Sequence, residues 1–192
     1  AAAAGTPRVV FHSVLHPDDA RMPHHLRKRE AERVLRSALG DRLTILRPAA
    51  YHQNLLDQAR AGVITVPYSP DAPFSNVDLG DVAQVAAGAL LDPAAGGEVH
   101  DLAGPQVLTT QEMGQQAAAV LGHPVEIRRI SIESWLAGPG ASLPAPAREA
   151  LVAMFRAYDD GGLVGDPASL LGALGALDRP ATTWVEAVSR LP

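Results

Sequence analysis

Short apolar runs alternate with longer stretches of helical periodicity along most of the chain. Five runs of apolar, β-branched or aromatic character predict strands, at residues 8–14, 43–46, 63–66, 98–102 and 125–130. Four stretches with apolar residues three and four apart predict the main helices, at residues 23–39, 51–60, 78–91 and 109–121. This alternation indicates βαβ units and a mostly parallel α/β sheet, whose two faces both need cover.

Polar residues at the starts of three predicted helices support this assignment. Asp78 precedes an apolar stretch and is a favourable N-cap. Thr109 with Glu112, and Thr183 with Glu186, have the spacing of a capping box. A loop rich in proline and glycine is predicted at residues 138–146, whereas residues 161–177 fit no single pattern.

The predicted helix at residues 23–39 carries the clearest chemical signal. At about 3.6 residues per turn, one inward stripe contains His24, Lys28, Ala31, Leu35 and Ala38. Lys28 is the only lysine of the chain, and the strand before this helix ends at Ser13. Since ligands of parallel α/β sheets bind outside the carboxyl ends of strands, Ser13, His24 and Lys28 are predicted to meet at one cleft. Alternatively, Lys28 extends its ammonium into solvent and His24 only fills space.

Composition narrows the classes of function. The net charge of −5 and the lack of a basic tail argue against nucleic acid as a partner. Absence of cysteine excludes disulfides and thiolate metal sites, and the early histidines lack an established metal-binding spacing, so no metal is expected. The longest apolar run, residues 82–91, is too short to span a bilayer. No signal peptide is visible, and a cytoplasmic location is expected.

Five segments, in order and with matching spacing, resemble the NmrA-like family of atypical short-chain dehydrogenases/reductases. They are VVFHSVLHP, HHLRKREAE, LTILRPAAYHQNLL, FSNVDLGDVAQVAAGALLDP and EVHDLAGPQVLTTQEMGQQAAAVLG. The resemblance implies a Rossmann-like parallel sheet with a small C-terminal α+β substrate lobe. It assigns residues 1–60 and 79–105 to the Rossmann part, and residues 61–78 and 106–192 to the lobe.

The family's first half holds the glycine-rich turn that binds the dinucleotide phosphates. No G-x-x-G-x-x-G follows a strand in this sequence, and residues 1–4 look like the end of a helix. The chain is therefore expected to be the C-terminal two-thirds of such a protein, with an incomplete sheet whose N-terminal strands are missing. NAD(P)H is expected to bind the full-length protein, and to bind this chain alone weakly or not at all.

The wider superfamily uses a Tyr-x-x-x-Lys pair and a serine in catalysis. By this resemblance Lys28 matches the lysine that binds the nicotinamide ribose, and Ser13 matches the serine at the strand end. His24 stands where the superfamily has tyrosine, which is a departure from the pattern. Lys28 and the helix dipole both disfavour a proton on His24, but a neutral imidazole can still relay one.

The segment after the second strand is implied to lie beside the cofactor. By resemblance, Pro48 and Ala49 run next to the nicotinamide, and Tyr51 and Asn54 begin the substrate pocket. Without the resemblance, Pro48 ends a strand and Asn54 holds a loop through a hydrogen bond.

Three functions remain open at this point. The retention of Ser13 and Lys28 favours an NAD(P)H-dependent reductase of a small carbonyl, quinone or conjugated double bond. His24 in the place of tyrosine favours a non-catalytic NAD(P)-binding redox sensor that acts through a regulatory protein partner, and an inactive fragment is the third. The chain by itself is expected to self-associate through the exposed edge of its first strand, because that strand has only Arg8 as a charge and no proline.

Overall fold

The computed structural model describes residues 5–92 and 95–191, so the helix end predicted at residues 1–4 lies outside the described residues. In this part of the chain the strands and α-helices follow in the order β1 (Val9–His12), α1 (Pro23–Leu39), β2 (Leu43–Pro48), α2 (Gln53–Arg60), β3 (Val63–Val66), β4 (Pro73–Phe74), α3 (Leu79–Leu91), β5 (Val99–Leu102), β6 (Leu108–Thr109), α4 (Thr110–Leu121), β7 (Glu126–Arg129), α5 (Ile132–Ala137), α6 (Ala145–Asp159), α7 (Ala168–Gly175) and α8 (Trp184–Ser189).

The main sheet is parallel and has the order β1-β2-β5. Its β2 is central and almost wholly buried, with Ile45 and Leu46 fully shielded from solvent. Ile45 faces α1 together with Leu39, while Leu46 faces the core that α3 and α7 build on the other side. This is the mixed α/β fold with parallel strands that the alternating pattern predicts, and it is Rossmann-like, as the family resemblance implies.

Both faces of this sheet are covered, as a parallel α/β sheet requires. The helix α7 lies in the stretch that the sequence pattern leaves unassigned, and its Leu170 and Leu174 are fully buried in the core beside α3. Cover is less complete over β1, where Val9, Val10 and Phe11 are only partly buried.

One edge of the sheet is open within the described residues, where β1 pairs with β2 alone. The N–H groups of Ser13 and Leu15 donate to β2, at 2.7 and 2.9 Å. In a parallel strand, the N–H and C=O groups of successive residues point alternately to the two neighbouring strands. The N–H and C=O groups of Val10 and His12 therefore point away from β2, to the open side.

Two predicted boundaries near the end of β2 are wrong. The strand was expected to stop before residue 47, but it continues through Pro48, whose carbonyl still accepts from the N–H of Leu15. The next helix was expected from residue 51 and begins at Gln53. Tyr51 is extended instead and forms a bridge with Val77, where the N–H of Val77 donates to Ala50 at 2.9 Å.

The capping predictions are confirmed. Asp78 accepts from the N–H of Gly80 at the start of α3, and the capping boxes of Thr109 with Glu112 and Thr183 with Glu186 are both complete. These polar residues fix where α3, α4 and α8 begin.

The segments predicted to form the small lobe pair with each other. Strand β3 pairs in parallel with β7, and β4 pairs antiparallel with β6. Two helices pack across the predicted division, however. Helix α2, expected with the Rossmann part, buries Leu55 and Ala59 beside β3, α4 and α8, while α7, expected with the lobe, packs on the main sheet. The division into two parts stays a prediction.

Candidate functional site

A cavity of about 440 Å³ opens at the carboxyl ends of β1 and β2. One wall is made by the residues that follow these strands and by the start of α1, and the opposite wall by β3, β4 and α6. Ligands of parallel α/β sheets bind at this place. Besides two histidines, the lining of the cavity includes five aromatic side chains, namely Tyr51, Tyr68, Phe74, Phe155 and Tyr158.

The wall opposite the sheet depends on a close backbone crossing. Gly162 has a φ of +72°, and a Cβ at this position would lie 1.8 Å from the carbonyl oxygen of Pro73. Only glycine therefore fits here. The crossing lets Leu163 bridge to Phe74, and both side chains line the cavity.

The lining of the cavity is polar in places but carries no Lys, Arg, Asp or Glu among the described residues. Asn76 is 5% exposed and its Oδ1 has no hydrogen-bond partner among them. The Nδ1 atom of His24 is also buried and has no hydrogen-bond partner among the described residues. Buried polar atoms are normally paired, so these two are candidate contacts for a ligand.

His24 is neutral at physiological pH. Burial, with smaller contributions from His25, Arg27 and Lys28, lowers its pKa to about 4. An imidazole in this state can accept a hydrogen bond, but it has no cationic proton to give.

Tyr51 reaches from the cavity wall back to β1. Its hydroxyl is hydrogen-bonded to Nε2 of His12, and the two rings are stacked with an interplanar angle of 14°. Burial raises the pKa of Tyr51 to about 12, whereas burial and the nearby Lys28 lower the pKa of His12. At neutral pH the pair is therefore a phenol and a neutral imidazole.

Lys28 lies at the open edge of the sheet, beside the cavity but not in its lining. Its Nζ donates to the carbonyl oxygen of His12 at 2.8 Å and lies 5.2 Å from the ring centroid of Phe11. The ammonium has three donor hydrogens, so this bond leaves capacity for a ligand. In the alternative prediction Lys28 only extends its ammonium into solvent, but the structure shows this hydrogen bond to His12 instead.

Ser13 is fully buried and does not reach the cavity. Its hydroxyl donates to Oε1 of Glu32 at 2.5 Å, and Arg47 donates to both oxygens of the same carboxylate at 2.9 and 2.6 Å. Glu32 is 5% exposed. The three side chains tie β1, α1 and β2 together behind the cavity. Of the three residues predicted to meet at one cleft, only His24 lines this cavity, since Lys28 lies beside it and Ser13 behind it.

The buried face of α1 also differs from the predicted stripe. It runs through His25, Glu32 and Leu39, one residue further along than predicted, and Ala38 is exposed. Met22, just before α1, and Leu39, at its end, are both buried in the core. With these two residues buried, the helix is oriented so that the carboxylate of Glu32 packs against the sheet.

Five of the seven predicted site residues line one cavity. They are His24, Pro48, Ala49, Tyr51 and Asn54. Sequence reasoning missed Asn76, Tyr68 and Tyr158, which lie on the opposite wall. Asn76 stands inside the FSNVD segment quoted above, where a polar residue between apolar neighbours just before a capped helix was an available signal. The structure does not test what these residues do, so the roles that the family resemblance implies for them stay predictions.

Replacement of Ser13 by alanine should reduce stability and not act at the reacting atoms. The change removes one hydrogen bond to a buried carboxylate, so we expect the free energy of unfolding to fall by about 1.5–3 kcal/mol. Urea unfolding followed by circular dichroism measures this. A variant as stable as the wild type, but with a specific loss of turnover in the full-length protein, would return Ser13 to the catalytic group.

Among the described residues, no helix is long and apolar enough to cross a membrane, and no group of three or more His, Asp or Glu side chains is placed to hold a metal ion.

Comparison with curated proteins finds two reductases. A (4-alkanoyl-5-oxo-2,5-dihydrofuran-3-yl)methyl phosphate reductase of Streptomyces griseus is 29% identical over 190 residues, which are 96% of this chain and 67% of that protein. An NAD(P)H azoreductase of Xenophilus azovorans is 28% identical over 152 residues, which are 74% of this chain and 50% of that protein. The chain thus spans from half to two thirds of the length of these relatives.

Solved structures agree with the fold. The NADPH-dependent quinone oxidoreductase of Escherichia coli, in complex with NADPH, superimposes with a TM-score of 0.81 at 25% identity, over 98% of this chain and 66% of that one. The triphenylmethane reductase of Citrobacter sp., in complex with NADP(H), gives a TM-score of 0.80 at 20% identity over the same shares.

The family model described as the NmrA-like family matches residues 1–186. With the parallel sheet, the cavity at its carboxyl edge and these relatives in agreement, the chain belongs to the NmrA-like family.

Proposed function

We propose that the protein containing this chain is an NAD(P)H-dependent reductase of a small, uncharged, planar carbonyl compound or quinone. The observation that carries the proposal is the cavity at the carboxyl ends of β1 and β2, which is rich in aromatic rings and has no charged residue in its described lining. The NmrA-like relatives named above, which are reductases, support the type of reaction.

The lining of the cavity sets the class of substrate. Tyr68, Phe74 and Tyr158 form a contiguous aromatic group with ring centroids 5.1 to 5.5 Å apart, against which a flat conjugated ring can stack. A phosphate group would need a cation or a cluster of backbone N–H donors. The substrate of this protein is therefore proposed to differ from the phosphorylated compound in the name of the Streptomyces relative.

The residues present fit the nicotinamide end of the cofactor. Lys28 offers spare donor hydrogens suited to ribose hydroxyls, and the uncharged wall of Pro48 and Ala49 suits a nicotinamide ring. When bound, NAD(P)H supplies the hydride. Asn76 and His24 offer buried polar atoms that can orient a substrate.

The direct test is NADPH oxidation by the full-length protein that includes this chain, followed by absorbance with three acceptors: a neutral quinone, a neutral aromatic ketone and a phosphorylated butenolide. We expect turnover with the neutral planar compounds and little with the phosphorylated one. A preference for the phosphorylated acceptor would contradict the proposed substrate class, since it requires an anion site that the described lining lacks.

Lys28→Ala should weaken cofactor binding. Loss of a charge-assisted contact is expected to raise the Kd for NADPH by the equivalent of about 1–3 kcal/mol. NADPH fluorescence titration of the full-length protein measures it, with Arg27→Ala as the control, because Arg27 is the exposed neighbour on the same helix. Equal affinities of Lys28→Ala and the wild type would remove Lys28 from the cofactor site.

A second candidate function is supported by the arrangement of Ser13 and His24. Ser13 is held by Glu32 and His24 is neutral, so the predicted catalytic group is not assembled as in the superfamily. A redox sensor that binds NAD(P)H and acts through a protein partner fits that observation. It predicts NADPH binding without turnover across a broad panel of acceptors, and a change in partner affinity between the reduced and oxidised cofactor.

A further inference from the structure

The structure provides a proton donor at a position that the superfamily pattern does not assign. Tyr51 lines the cavity, and its hydroxyl is hydrogen-bonded to Nε2 of His12, a residue at the carboxyl end of β1. His12 is exposed in this chain, so its ring lies between the cavity wall and solvent. We propose that Tyr51 is the catalytic acid of the reaction and that His12 resupplies its proton. The inference rests on the proposed function and adds the residues that complete it.

The hydrogen-bonded pair is held from two sides. Tyr51 is fixed by its backbone bridge to Val77, and the carbonyl of His12 accepts from Lys28 at 2.8 Å. The stacked rings restrict both side chains to one orientation. A proton path of this kind requires such fixed geometry, since transfer occurs only over hydrogen-bond distances.

The other candidates for this role are less suited. His24 lines the cavity, but its Nδ1 has no hydrogen-bond partner among the described residues that could resupply a proton. Ser13 donates its hydroxyl to Glu32 and lies outside the lining. Tyr68 and Tyr158 also line the cavity, but they pack in the aromatic group of the opposite wall.

Each carbonyl that is reduced consumes one hydride and one proton. Reduction of a carbonyl adds one hydride, for which NAD(P)H is the reductant, and the resulting oxyanion needs one proton. The O–H bond of Tyr51 breaks as the O–H bond of the product forms. The N–H bond of His12 at Nε2 then breaks as the phenol re-forms, and a proton from bulk solvent binds Nδ1 of the same ring, which therefore stays neutral. In sum the carbonyl gains one hydride, which leaves NAD(P)H as NAD(P)+, and one proton, which comes from solvent through His12 and Tyr51.

The test compares Tyr51→Phe with Tyr68→Phe in the full-length protein. Tyr51→Phe keeps the ring and the stacking but removes the proton, so we expect kcat to fall by about 10²-fold with little change in KM. Tyr68→Phe should act mainly on KM, because it alters the wall against which the substrate stacks. His12→Gln should lower kcat and leave NADPH affinity unchanged in fluorescence titration.

A second measurement does not depend on turnover. The ¹⁵N resonance of His12 Nε2 should shift in Tyr51→Phe and stay in place in Tyr68→Phe. An unshifted resonance, or a Tyr51→Phe enzyme with wild-type kcat, would overturn the proposal while the proposed function stands. A wild-type protein that reduces no acceptor would refute the proposed function, and the hydrogen bond between Tyr51 and His12 would then be structural.

Discussion

Glu32→Ala should lower the free energy of unfolding by about 3–5 kcal/mol, the range found when one partner of a buried ion pair is removed. The carboxylate is 5% exposed and accepts from Ser13 on one side and from Arg47 twice on the other. Its loss leaves a partly buried guanidinium and a fully buried hydroxyl without their acceptor. Urea unfolding measured by circular dichroism gives the difference.

The chain contains a matched control on the same helix. Glu30 pairs with Arg33 at 2.7 Å, but both side chains are well exposed, at 59% and 70%. Exposed ion pairs contribute little, so Glu30→Ala should unfold close to the wild type. Equal effects of the two substitutions would mean that the Glu32 pair is solvated like the Glu30 pair, and that α1 is held to the sheet by apolar contacts alone.

The same contrast shows what the sequence could predict about the fold. Local signals sufficed where the structure depends on neighbours in the chain. The capping residues Asp78, Thr109 and Thr183 form hydrogen bonds to groups only two or three residues away, and the predicted helix starts are confirmed. Helix α1 also has the predicted bounds, Pro23–Leu39, because proline at its start and glycine after its end are local features.

Tertiary packing decided the features that sequence reasoning missed. The rotation of α1, by which Glu32 is buried against the sheet and Ala38 is exposed, depends on which core receives Met22 and Leu39. Asn76 reaches the cavity because β4 and the segment after it cross beside Gly162 and Leu163, far away in the chain. Neither the periodicity nor the residue type of Glu32 or Asn76 contains that information.

In the candidate site, too, positions that follow from neighbours in the chain were predicted, and positions that depend on tertiary packing were not. Resemblance placed Pro48, Ala49, Tyr51 and Asn54 together because they follow one strand, and the cavity includes all four. It also placed Ser13 there, but alternation along β1 directs that side chain to the α1 face, where Glu32 accepts its hydrogen bond. The pairing of Tyr51 with His12 joins two segments 39 residues apart, and no spacing in the sequence indicates it.

The 192-residue chain by itself should self-associate through β1. Within the described residues β1 pairs only with β2, and the backbone groups of Val10 and His12 point to the open side, where Lys28 occupies one carbonyl. A second copy can add a strand at such an edge, since the side chains of β1 are mostly apolar and only partly buried. Size-exclusion chromatography with light scattering should therefore find species larger than the 20.1 kDa monomer.

A pair of substitutions at one position isolates this edge. Val10→Pro removes an N–H that points to the open side and leaves the pairing of β1 with β2 in place, so it should shift the chain towards monomer. Val10→Thr keeps both the N–H and the shape of the side chain, and it should associate like the wild type. If the proline and threonine variants associate equally, the contact lies elsewhere on the surface. A wild-type chain that is monomeric and unfolds cooperatively would show that the open edge of β1 is tolerated in solution.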